Sequence, residues 1–71
     1  MGSVEPVSWN ERVYTAAAMR RHGGAFFEAI GEALTRADAV NVEKVRAAWP
    51  DEWARYKAIG ETIQADEMRN R

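Results

Sequence analysis

Apolar residues recur at the three-and-four spacing of helices along most of this chain. The clearest run is Phe26, Phe27, Ile30, Ala33, Leu34 and Ala37, with Glu28, Glu32, Thr35 and Arg36 lying off that face. Glu32 and Arg36 form a favourable i,i+4 pair on the polar side. Gly31 inside the run costs up to about 1 kcal/mol relative to alanine, which a close helix crossing at that point would explain. An earlier helix is expected from about Trp9 to His22. Its best apolar face is a narrow, alanine-rich stripe of Trp9, Val13, Ala16, Ala17 and Met19 or Arg20. Ser8 followed by Glu11 has the spacing of a capping box, in which the hydroxyl takes a free backbone N–H and the carboxylate reaches back. Arg20, Arg21 and His22 crowd the last turn, where cations suit the helix dipole, and Gly23-Gly24 supplies the stop.

Asp38 to Asn41 reads as a turn, with Asn41 or Asp38 capping a third helix over about Val42 to Trp49. Val42, Val45, Ala48 and Trp49 share one side of it. Pro50 interrupts the chain and suits the first turn of a fourth helix. That helix is expected from Asp51 to about Ile59, with Trp53, Tyr56 and Ile59 toward the core and Gly60 as its end. Residues 1–7 carry Pro6 and little periodicity, so they read as an extended arm. Residues 61–71 offer only Ile63 and Met68 as large apolar side chains, so they read as a polar, disordered tail. The expected architecture is all-α: a bundle of three to four short helices over residues 8–60, with a flexible N-terminal arm and C-terminal tail.

Seventy-one residues make one domain, near the lower limit at which a chain buries enough apolar surface to fold alone. There is no cysteine, which removes disulfides and thiolate metal sites as staples and fits a reducing compartment. Aromatic side chains are the expected compensation: three tryptophans, two tyrosines and two phenylalanines, each able to bury roughly 150–250 Å². Trp49 and Trp53 are assigned to the core. Net charge is -1 with both signs interspersed, so no single-sign field favours nucleic acid or anionic lipid. Met1 to Pro6 has neither the basic region nor the apolar run of a signal peptide. No segment approaches the ~20 apolar residues of a membrane span. A cytoplasmic location is therefore expected.

Candidate chemistry is sparse. The single histidine, His22, reads as a helix-terminal cation, and no HExxH-like spacing accompanies it. Gly23-Gly24 follows a helix and lacks the flanking residues of a phosphate cradle. Glu28 and Glu32 sit one turn apart, but on a polar face in a chain too small for a deep cleft. No catalytic residue, cofactor or metal is expected. Direct nucleic-acid binding is disfavoured too: a reading helix over Phe26 to Arg36 would turn Glu28 and Glu32 toward phosphates.

What remains is contact surface. Trp9, at the mouth of the first helix, reads equally well as core or as an interface residue, tryptophan being a common hot spot. The arm, with Val4, Glu5 and Val7, has the composition to add to a partner's sheet edge or groove. Arg20 and Arg21 are placed to meet an acidic partner. These six residues are the candidate partner-binding set.

The run Arg21-His22-Gly23-Gly24-Ala25-Phe26, then Ala29, Ala33, Ala37-Asp38 and Asn41, and finally Ala47-Ala48-Trp49-Pro50 with Trp53 and Tyr56, resembles a recurring group of small bacteriophage proteins. The resemblance covers Arg20 to Tyr56, about half the chain, and falls on positions already assigned to turns, caps and core. It implies a non-catalytic accessory protein acting in the host cytoplasm. By analogy with small phage proteins that contact host polymerase, the expected partner is host RNA polymerase and the expected role is transcription regulation or inhibition. The alternatives are an inhibitor of a host CRISPR complex, a small DNA-binding repressor, and an assembly role.

Overall fold

Four helices and their short connections make up the computed structural model, which describes residues 5–70. They are α1 (Trp9–His22), α2 (Gly24–Leu34), α3 (Ala39–Ala48) and α4 (Pro50–Arg69), and no strand occurs among the described residues. Helix α1 is central: it packs against α2 on one side and α4 on the other, while α3 leans on α4. The all-α bundle expected from the sequence is the observed fold.

Local chemistry sets each boundary. Ser8 Oγ accepts the Glu11 N–H at 3.1 Å and starts α1. At the other end the Gly23 N–H closes on the Met19 carbonyl at 2.9 Å. Gly24 then turns the chain with φ +70°, a left-handed conformation that favours glycine. Helix α2 stops at Leu34, earlier than its apolar run predicts. The Thr35 hydroxyl donates to the Glu32 carbonyl at 2.7 Å, and the N–H groups of Arg36 and Ala37 take tight i→i−3 bonds to Ala33 and Leu34. Asp38, not Asn41, caps α3: its Oδ1 accepts the Asn41 N–H at 2.9 Å, so α3 begins at Ala39 inside the expected turn. Pro50 disfavours helical backbone at Trp49, which adopts φ -134° and ψ 69°, and itself opens α4.

The core is Ala16, Ala18, Met19, Leu34, Val42, Trp53 and Tyr56, with Val7, Phe27, Ile30, Ala37, Val45, Ile59 and Ile63 packed against it. Trp53 and Tyr56 lie where the sequence placed them. Trp49 is half-buried and meets Phe26 and Phe27 edge-on, with ring centroids 5.6 and 5.9 Å apart. Among the described residues no helix is long and apolar enough to cross a membrane.

Two expectations are overturned. The first concerns α1, whose buried residues are Thr15, Ala16, Ala18 and Met19, while Trp9 is 70% and Val13 39% exposed. Ala16 and Met19 of the expected stripe are buried, but a helix held between two neighbours buries a broader face, which takes in Thr15 and Ala18 and leaves Trp9 and Val13 outside. The second concerns Gly60, which does not end α4. It is buried at the crossing with α1, where an added Cβ would stand 2.5 Å from the Tyr14 carbonyl oxygen. The helix continues to Arg69 because Ile63 packs on the core and the Tyr14 hydroxyl donates to Glu67 Oε1 at 2.8 Å. Residues 61–69 thus belong to the bundle, not to a disordered tail. Backbone chemical shifts should stay helical through about Glu67, and Ile63→Ala should cost about 1–2 kcal/mol in urea unfolding, less than the roughly 2–5 kcal/mol of a fully buried site because Ile63 is half-buried. Coil shifts beyond Gly60 with no loss in Ile63→Ala would contradict this.

Candidate functional site

Residues 5–8 run alongside α3 in an anchored, extended path. The Val7 N–H donates to Glu43 Oε2 at 2.8 Å, and Arg46 Nη1 donates to the Glu5 carbonyl at 3.0 Å. Arg46 and Glu43 are themselves ion-paired, so one charged pair holds both strands of the contact. Val7 is half-buried against the core, whereas Glu5 and Pro6 are exposed. Part of the expected arm is therefore fixed to the bundle. Val4 lies outside the described residues.

The chain then enters α1 with Trp9 standing out of the surface. The Arg12 guanidinium lies over its ring at 5.4 Å from the centroid. Arg12 is positioned by a second contact: its Nε donates to the Leu34 carbonyl at 3.0 Å. Leu34 is the last residue of α2, so Arg12 satisfies a helix-terminal carbonyl with a cation while bracing Trp9. Sequence reasoning passed over Arg12, because its partner is 22 residues away and belongs to a helix end that the apolar pattern misplaced.

Beyond Trp9, the same side of α1 carries Val13, Ala17 and Arg20. Trp9, Arg12, Val13, Ala16, Ala17, Arg20 and Thr35 line one groove of about 300 Å³. Trp9 and Arg12 also border a second groove, of about 320 Å³, whose walls include Val7 and the exposed Val40. The structure thus brings Val7, Trp9 and Arg20 onto one continuous side of the molecule, with Trp9 at the junction. Arg21 faces elsewhere: with Arg20 it borders a shallow channel between α1 and α2 that also contains Glu28 and Glu32.

The electrostatics around Arg20 are lopsided. Glu32 lies 3.6 Å from Arg20 Nε and 3.7 Å from Arg36 Nε. Two guanidiniums thus share one carboxylate, while Arg12 is held by the Leu34 carbonyl and the Trp9 ring. The Arg20–Glu32 pair is half-exposed on both sides, a setting in which an ion pair contributes only about 0–1 kcal/mol. The carboxylate of Glu11 is engaged elsewhere. Instead of returning to Ser8 as a capping box would have it, Glu11 Oε2 accepts the indole N–H of the buried Trp53 at 2.8 Å, with Lys57 Nζ 4.0 Å from its other oxygen.

His22 is exposed at the end of α1, and Glu28 and Glu32 are exposed on α2. Among the described residues no three histidine, aspartate or glutamate side chains gather closely enough to hold a metal ion. The arrangement offers contact chemistry: an indole, an aliphatic floor and fixed guanidiniums.

If Arg12 is the brace described, Arg12→Met should keep the helical fold, lower unfolding free energy by about 1–2 kcal/mol, and broaden the Trp9 indole resonance. A variant as stable as the parent, with an unchanged Trp9 signal, would refute the role. In comparisons with known proteins, no family model, no curated protein and no solved structure matches this chain.

Proposed function

We propose that this chain is a small non-catalytic phage protein that binds a host macromolecular machine, RNA polymerase foremost, and so regulates or inhibits transcription. The observation that carries the reading is Trp9: a tryptophan 70% exposed on a folded helix, at the meeting point of two grooves. In a chain with so few large apolar side chains, leaving an indole in water forgoes several kcal/mol of burial. A partner that covers the ring recovers that energy, and tryptophan is among the residues that dominate interface energetics. The choice of polymerase rests on analogy with small phage proteins.

The binding set proposed here keeps Val7, Trp9 and Arg20 and adds Arg12 and Val13 from the same grooves, while Arg21 and the exposed Glu5 lie to the side and Val4 falls outside the described residues. The repressor alternative gains nothing, since α2 presents Glu28 and Glu32 where a reading helix would carry cations.

Purified chain should co-elute with RNA polymerase of the bacterial host and alter open-complex formation on a linear promoter. Trp9→Ala should weaken binding at least tenfold, as expected for a hot-spot tryptophan, while its circular dichroism stays unchanged. Neither binding nor any effect on initiation would end the reading.

A further inference from the structure

We propose that the groove between Trp9 and Arg20 receives an acidic amphipathic helical segment of a partner protein, its large apolar side chain on the groove floor and its carboxylates on Arg12 and Arg20. The inference rests on the binding role proposed above and states what that role's partner must look like.

Three features carry it. The floor is aliphatic, offered by Val13 and Ala17 above the buried Ala16, with the Trp9 indole as one wall. At about 300 Å³ the groove accepts one or two side chains, not a folded surface. Among the described residues its charged lining is entirely cationic, because Arg12 and Arg20 border it and no carboxylate does. Glu32, the neighbouring acid, is already divided between Arg20 and Arg36. A chain with net charge -1 has therefore gathered an unbalanced positive cluster around an apolar depression.

The cations are also held apart at a usable distance. Arg12 and Arg20 are eight residues apart on one helix, about 12 Å along its axis. Arg12 is fixed by the Leu34 carbonyl through Nε, and among the described residues no carboxylate is paired with its guanidinium. Such preorganisation lowers the ordering cost of binding. Two carboxylates about two turns apart on a partner helix, with a leucine-sized or aromatic residue between them, match this spacing. Charge-assisted bonds to guanidinium supply direction while the apolar contact supplies affinity.

A nucleic-acid strand fits less well. The aliphatic floor offers nothing to base edges, and the Arg12 guanidinium already lies over the Trp9 ring, where a base would stack.

The test is selection of a random 16-residue peptide display library on the full chain, with counter-selection on Trp9→Ala. Recovered peptides are then titrated by fluorescence anisotropy. The expected sequences are enriched in Asp and Glu around one Leu, Ile, Phe or Trp. They should bind Trp9→Ala and Arg20→Glu at least tenfold more weakly, and lose affinity as salt is raised. Both positions are exposed, so the variants should keep the parent circular dichroism; Val13→Asp, also at the surface, is a third variant expected to abolish binding. Recovery of basic or neutral peptides would overturn the proposal. So would recovery of nothing that depends on Trp9, or displacement of the peptides by single-stranded or duplex DNA at lower concentration than by peptide itself. Acidic peptides binding a chain that ignores RNA polymerase would support this surface and end the transcription reading alone. Polymerase binding indifferent to Trp9→Ala and Arg20→Glu would do the reverse.

Discussion

Backbone-to-backbone approach between helices is the constraint on which this structure depends. Helix α1 touches α4 where Gly60 lies against the Tyr14 carbonyl, and it touches α2 where Gly31 lies against the Ala16 carbonyl oxygen. At each point a Cβ would stand within 3 Å of main-chain atoms of α1. Each glycine sacrifices up to about 1 kcal/mol of helix propensity. In return the small residues of α1, Ala16 and Ala18, are sealed completely, and Met19 and Leu34 close the gaps between helices. A chain of this size cannot surround its core with many layers. Close crossings let a few large side chains suffice.

The same constraint shapes the surface. The inner side of α1 meets its neighbours through Thr15, Ala16 and Ala18, with Met19 as the large side chain it buries. Trp9 and Val13 occupy the opposite flank, beside the cations that α1 carries at Arg12 and Arg20. The indole stands outside this packing, and Arg12 keeps it in place by bridging to the end of α2. Fold and candidate site share this one helix: its inner side builds the bundle and its outer side offers the groove.

Much of the architecture was legible in the sequence. Ser8, Gly23-Gly24, Asp38 and Pro50 mark boundaries through local chemistry, because a cap or a proline acts on residues within one turn of itself. Trp53 and Tyr56 were legible as core because nothing polar competes for their side of α4. The close crossing at Gly31 was legible too, since a glycine amid strong helix formers requires a reason. Gly60 has the same reason but sits before a polar stretch, so it looked like a terminus; its contact with Tyr14 is 46 residues distant and leaves no local mark. The face of α1 was misread for a related cause. The alanine-rich stripe was right at Ala16 and Met19, but the buried face extends through Thr15 and Ala18 to reach both neighbours, so Trp9 and Val13 at the stripe's other edge stay outside. At the site, Trp9 and Arg20 were identified from residue type alone, and Arg12 was missed because its role comes from Leu34 across the fold.

The most direct measurement is equilibrium urea unfolding of Gly60→Ala against the parent chain. Alanine is the better helix former, so propensity by itself would raise stability by about 1 kcal/mol. The close-crossing account predicts the opposite sign, a loss of about 1–3 kcal/mol as the Tyr14 and Thr15 backbone is pushed away. A midpoint equal to or above that of the parent would contradict it.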